Sequence, residues 1–360
     1  MAAAPEVGAG TVYVVGGLYG NLPALDAIEA MAAAEAGPVT LFFNGEFNWF
    51  DVEPGQFEAV NRRVLTHHAI QGNVEAELGA DDATAGCGCA YPEAVDNGTV
   101  ERSNRIHARL RETAAAYPKL NAALSALPMY AVLRIGGQRV GIIHGDAESL
   151  AGWGFDHGAL DDPQRRDWLA RCFAEAAVDV FASSHTCLPA LRSFEIDGRS
   201  CAVINNGAAG MPNFRGERSG VISRIALSPS PLRPLYGIRV GELFIDVPFV
   251  DQVETAARAG RQRRHAHYPV AGLELLLRRK LGPAEGDARR LGDTSALPLP
   301  FPRFERDEAL RCRLRPDAPG CQAAGEGAVG GFVAQHQLKH AGGGIMGRGV
   351  RLEATRPIEG

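Results

Sequence analysis

Thr11–Asn21 reads TVYVVGGLYGN. The β-branched run Thr11–Val15 ends in glycines, and Asn21 is a residue type suited to capping a helix. This predicts a buried strand, a tight loop and a helix over roughly Leu22–Ala36, with Leu22, Leu25, Ile28 and Ala32 on one face. The alternation then repeats. Val39–Phe43 reads as a strand, Pro54–Leu65 as a helix, and His68–Gln71 as a short strand before Gly72-Asn73. Strands alternating with helices predict a parallel α/β start, and in such sheets functional sites form beyond the carboxyl ends of the strands.

Composition narrows the class. The chain has 360 residues, enough for a sizeable core in one large domain or two smaller ones. Its 46% hydrophobic and 22% charged content is that of a globular protein. The net charge of -5 gives no nucleic-acid footprint. The N-terminus MAAAPEVGAG lacks the basic start and apolar run of a signal peptide. No stretch reaches the roughly 18–20 apolar residues of a membrane span. A soluble cytoplasmic chain, with no membrane or nucleic-acid partner, is the expectation. The seven cysteines are odd in number and scattered, which argues against a disulfide framework.

Farther along, Ala80–Val100 has no periodicity and carries Cys87 and Cys89 in CGCAYP; it reads as an inserted loop. Glu101–Ala116 and Tyr117–Leu127 read as helices. Met129–Ile135 and Arg139–His144 read as a strand pair turned at Gly136-Gly137. Pro163–Ala177 is a predicted helix feeding a strand over Val178–Ser183. Ala190–Ile196 and Arg199–Ile204 flank an Asp197-Gly198 hairpin signal. Val221–Leu227 and Leu235–Val240 extend the β-rich half. Residues 246–295 read as a helical extension, and 296–360, dominated by Pro, Gly and Arg, as a disordered tail.

Five segments in order carry the chemistry: Val14–Asn21 (VVGGLYGN), Phe43–Pro54 (FNGEFNWFDVEP), Gln71–Glu75 (QGNVE), Ile142–Gly145 (IIHG) and Ser184–Cys187 (SHTC). They resemble the five metal-binding motifs of the calcineurin-like metallophosphoesterases, which read roughly DxHGN, GD, GNH(D/E), H and GHxH. The resemblance implies a metallophosphoesterase-like four-layer α-β-β-α sandwich over about residues 11–245, with the C-terminal extension beyond it. It also assigns positions. Glu46, Asn73, His144 and His185 stand at the ligands of the family's second metal site. Gly17, Tyr19 and Cys187 replace the Asp and two His that serve the first. One intact site is therefore implied, holding one Mn, Fe or Zn ion, with the other site lost or rebuilt.

The chemistry of the survivors fits. Two imidazoles, one carboxylate and one amide oxygen suit these ions. Val74 replaces the His that follows Asn in the motif and cannot serve as a general acid. Cys187 with Cys87 and Cys89, and Tyr19 as a phenol, is a candidate rebuilt site for a softer ion; Cys87 and Cys89 alternatively form a C-x-C redox pair or are inert. Asn206-Gly207 in VINNGAAG resembles the family's phosphate-seating loop, and reads equally as a tight turn. Three functions follow as expectations. The first is a divergent phosphoesterase acting on a small phosphorylated substrate. The second is a non-catalytic binding protein on the same fold. The third is a soft-metal or redox protein built on Cys87, Cys89 and Cys187.

Overall fold

Strand Thr11–Val15 alternates as a half-and-half strand should. Val12 and Val14 face one apolar cluster, while Tyr13 and Val15 face another. That alternation places the strand between two layers. The structure, a computed structural model, describes residues 1–80, 86–214 and 218–250. It contains fourteen strands: β1 (Glu6–Ala9), β2 (Thr11–Val15), β3 (Val39–Phe43), β4 (His68–Ala69), β5 (Tyr130–Ile135), β6 (Gln138–Ile143), β7 (Val180–Ser183), β8 (Ala190–Ile196), β9 (Arg199–Asn205), β10 (Gly220–Val221), β11 (Ser223–Ala226), β12 (Tyr236–Val240), β13 (Leu243–Val247) and β14 (Phe249–Val250). Two six-stranded sheets result, ordered β1-β5-β6-β7-β9-β8 and β12-β13-β11-β2-β3-β4, with β10 and β14 forming a separate pair.

The inward faces of the two sheets pack on each other through Val12, Val14, Phe42, Leu133, Ile142, Ala182, Ile204, Ile225 and Ile245. Helices α1 (Leu22–Ala33), α2 (Pro54–Val64), α3 (Asn73–Leu78), α4 (Asn97–Ala115) and α5 (Pro118–Ser125) cover the outer face of the second sheet. The short α6 (His157–Leu160) and α7 (Arg166–Ala176) cover the outer face of the first. This is the four-layer α-β-β-α sandwich that the motifs imply.

Local signals explain the helix starts. The Asn21 side chain accepts from Ala24 N at 3.1 Å, the predicted cap. Asp96 caps α4 from Thr99 N at 3.0 Å, so the helix begins inside what reads as loop. The sheets also begin before residue 11 and continue past 245, because β1 pairs with β5 and β14 with β10. Residues 246–247 and 249–250 are strand rather than helix. The rest of the expected extension and the tail, 251–360, lies outside the described residues. Among the described residues no helix is long and apolar enough to cross a membrane.

Strands β2, β3 and β4 are parallel in one sheet; β6, β7 and β9 are parallel in the other. Their carboxyl ends meet at one edge of the sandwich. Asn44, just after β3, stitches the sheets there. Its Nδ2 donates to Ile143 O at 3.2 Å, and its carbonyl receives Ser184 Oγ at 3.2 Å.

Candidate metal centre

Each proposed ligand follows a strand end: Glu46 follows β3, Asn73 follows β4, His144 follows β6 and His185 follows β7. The structure brings all four together. Ligand atoms of Glu46, His144 and His185 lie within 4.8 Å of one another. Asn73 Oδ1 is 2.8 Å from His144 Nε2 and 3.0 Å from His185 Nδ1, and the two ring nitrogens are 3.1 Å apart. All four residues are buried.

The surroundings determine which atoms carry hydrogens. His144 Nδ1 lies 2.8 Å from the Asn44 carbonyl, which only accepts, so the proton belongs on Nδ1 and the Nε2 lone pair points into the centre. His185 Nε2 lies 3.1 Å from the Cys89 carbonyl, so its proton sits on Nε2 and its Nδ1 lone pair points inward. Asn73 Nδ2 donates to the Cys87 carbonyl at 2.8 Å, which turns Oδ1 toward both rings. These assignments follow from the hydrogen-bond network. Three acceptor atoms therefore face each other at 2.8–3.1 Å with no hydrogen between them. A proton is a poor candidate to fill the gap. Burial holds His144 well below the usual imidazole range and pushes His185 down to about 4. A metal cation satisfies all three acceptors, and neutral imidazole is the ligating form. The donor set of Glu46, Asn73, His144 and His185 thus fits a divalent metal ion.

The positions of the altered ligands adopt a different arrangement. Tyr19 hydroxyl donates to Cys187 Sγ at 2.8 Å; Cys187 Sγ lies 3.3 Å and Tyr19 Oη 3.5 Å from Glu46 Oε2. Tyr19, Glu46 and Cys187 all hold left-handed backbone, with φ of 57°, 54° and 57°. Such conformations cost energy for these residue types and concentrate at functional sites. Gly17 explains how Tyr19 fits. A Cβ at position 17 would stand 3.0 Å from Tyr19 Cζ and 3.1 Å from its Oη, so the ring leans where a side chain would otherwise be. The change at 17 accommodates the change at 19.

This contact makes a prediction. Gly17 has φ +60°, so Gly17→Asp is expected to destabilise the protein by about 2 kcal/mol or more through backbone strain and ring collision. In a Tyr19→His background the crowding against the ring is relieved while that against Ala208 Cβ, at 3.1 Å, remains, and the same change is expected to cost about 1 kcal/mol less. Urea denaturation of the four members of the cycle measures the coupling. Additive free energies would show that the ring does not lean on position 17.

Two expectations are corrected. Cys87 and Cys89 are disulfide-bonded to each other, so no three-thiolate cluster with Cys187 forms among the described residues. Their carbonyls make the short contacts to the ligands, and Cys89 Sγ also lies 3.5 Å from Asn73 Nδ2. Asn206 and Gly207 do not offer free N–H groups to a phosphate. Asn206 N donates to Ser183 O at 3.3 Å, and Gly207 N to Asn205 Oδ1 at 2.9 Å. The Asn206 amide donates to Gly16 O and Val221 O, so this turn is internal bracing. Val74 is buried in the helical layer and supplies no proton donor.

Glu75 carries a role that no isolated signal announces. Its buried carboxylate accepts from Glu46 N at 3.0 Å, Gly72 N at 3.1 Å, and both the backbone and side-chain N–H of Asn48 at 3.2 Å. Burial pushes its pKa up, while the backbone N–H donors pull it back. It bolts the Glu46 loop to the Asn73 loop. Part of the signal was local: Gly72-x-x-Glu75 at a helix start has the spacing of a capping box. Trp153 also reaches the site. Its Nε1 donates to Cys89 O at 3.2 Å and its ring stands edge-on to His185 at 5.4 Å. Asp146 shapes the loop that delivers it, accepting from Glu148, Ser149 and Gly154 N–H groups.

No family model matches the chain, and no curated protein matches it. Solved structures do. A hypothetical protein from Pyrococcus horikoshii is similar at 16% identity and TM-score 0.47, over 69% of this chain and 92% of that one. A metallophosphoesterase from Sphaerobacter thermophilus is similar at 14% identity and TM-score 0.42, over 69% and 94%. Vps29 from Entamoeba histolytica, complexed with zinc, is similar at 13% identity and TM-score 0.28, over 67% and 99%. The likeness is one of fold. The functional reading rests on this chain's own residues.

Proposed function

We propose that this protein is a metal-dependent phosphoesterase working with one divalent ion held by Glu46, Asn73, His144 and His185. The observation that carries the metal site is the set of three buried acceptors aimed at one another, with their protons held on the opposite side by Asn44, Cys87 and Cys89. When bound, such an ion polarises a phosphoryl oxygen and lowers the pKa of its water.

The chain's own groups suggest the rest. Cys187 is only partly buried, whereas Tyr19 and the four ligands are buried, so Cys187 marks the side from which a small ester would approach. With Val74 at the start of α3, the proton donors beside Glu46 are the Cys187 thiol, 3.3 Å from Oε2, and the Tyr19 hydroxyl at 3.5 Å. A second reading, a metal-binding protein without turnover, is favoured by how completely the Cys87–Cys89 loop and Trp153 cover His185.

Metal reconstitution separates the two. Chelator-treated full-length protein is given Mn²⁺, Fe²⁺ or Zn²⁺, then assayed on p-nitrophenyl phosphate and bis-p-nitrophenyl phosphate. One ion per chain with metal-dependent release of nitrophenol is the expected result. One ion with no release on either ester selects the second reading. Two hard ions per chain would overturn the single-site assignment.

A further inference from the structure

We propose that Cys87 and Cys89 are positioning residues for the metal ligands, and that their disulfide makes this positioning redox-dependent. The proposal rests on the metal-centre reading above and adds its regulation.

The two carbonyls that orient the ligands belong to the two residues the bridge joins. Only Gly88 lies between them, so the bridge closes a short ring that contains the Cys87 carbonyl and fixes the Cys89 Cα from which the second carbonyl projects. The ring is seated from outside. Asn104 Oδ1 accepts from Cys87 N at 3.1 Å, and Trp153 Nε1 donates to Cys89 O. Gly86 and Gly88 have φ of +71° and +62°, a region that glycine enters and leaves at little cost. With the bridge open, little in the local backbone preserves this shape. Cys89 O then no longer selects the Nε2–H tautomer of His185, and Cys87 O no longer selects the orientation of the Asn73 amide.

The chemistry balances with a dithiol reductant. Its thiolate attacks one sulfur of the bridge, the S–S bond breaks, and the reductant closes to its own disulfide. Two electrons and two protons pass to the pair, leaving an S–H on each of Cys87 and Cys89. Loss of an outer partner to a metal ligand typically weakens metal affinity by about 10–100-fold.

The test uses the full chain with Mn²⁺ alone as probe, its free fraction read by electron paramagnetic resonance. Titrations are run on oxidised protein, on protein reduced with dithiothreitol, and on protein re-oxidised after reduction. Alkylation and mass spectrometry report the state of residues 87 and 89. The expected result is a Kd at least about tenfold weaker after reduction, regained on re-oxidation. A Cys87→Ser/Cys89→Ser variant should bind as the reduced form does under both conditions. Equal affinity with residues 87 and 89 confirmed as thiols overturns the proposal. So does a double variant that still responds to reductant, or a pair found as thiols in folded protein kept without reductant.

A metal-free readout keeps the two ideas apart. The ¹⁵N imidazole shifts of His185 should show Nε2–H in the oxidised protein and a tautomer mixture after reduction. If Mn²⁺ binds neither form, the metal reading fails, and this shift alone decides the positioning role. Shifts that do not move on reduction overturn it.

Discussion

Alanine at His185 is expected to remove nearly all bound metal while leaving the fold in place. The ring supplies one of the two imidazole ligands, and its loss leaves Glu46, Asn73 Oδ1 and His144 Nε2, a set too weak to hold an ion at working concentration. The affinity loss should exceed the roughly 10–100-fold typical of outer partners. Stability should change by only about 1–3 kcal/mol, through the Cys89 carbonyl left with Trp153 as its one side-chain donor and the small cavity under Trp153. Elemental analysis of purified protein and far-UV circular dichroism together test this. Unchanged metal content would place the ion elsewhere, and lost dichroism would mean that His185 is chiefly structural.

Glu75→Gln is expected to cost more than any other conservative change near the site. Each carboxylate oxygen accepts two hydrogen bonds: Oε2 from Glu46 N and Gly72 N, Oε1 from the two Asn48 groups. An amide turns one of those oxygens into a donor facing two donors. Two buried N–H groups without acceptors cost about 1–3 kcal/mol each, so a loss of roughly 3–5 kcal/mol is expected. Relief of burying a charge offsets part of it, but the total remains a large fraction of the about 5–15 kcal/mol by which domains are stable. Metal content should fall as well, because the Glu46 and Asn73 loops are no longer tied together. Urea denaturation and metal analysis of the same preparation report both. A variant within 0.5 kcal/mol of the parent, with its metal intact, would remove Glu75 from this role.

What could be read along the chain is what depends on neighbours in sequence. The period-2 pattern of Thr11–Val15, the Asn21 cap and the Asp197-Gly198 turn are set by side-chain direction and backbone preference within a few residues. The order of Glu46, Asn73, His144 and His185 was legible for a related reason. Glu46, His144 and His185 each follow a strand whose apolar run is itself visible, Asn73 follows the short His68–Ala69, and parallel strands must put their carboxyl ends together. Strand β1 was not legible, because EVGA is short and unpatterned and becomes a strand only by pairing with β5.

The chemistry around the ligands was decided by contacts that no local pattern encodes. Tyr19 meets Cys187 across 168 residues, with its ring leaning close over Gly17, where a Cβ would be crowded. The Asn206 turn offers no phosphate seat because Gly16, Val221, Ser183 and Asn205 use its hydrogen-bonding groups. Cys87 and Cys89 read as sulfur chemistry, yet it is their carbonyls that select the tautomer of His185 and the orientation of Asn73. The physical reason is general. Residue type and spacing determine which elements form and where their ends lie, but a buried polar group takes whatever partner the fold brings within 3 Å, and that is a property of the packed chain.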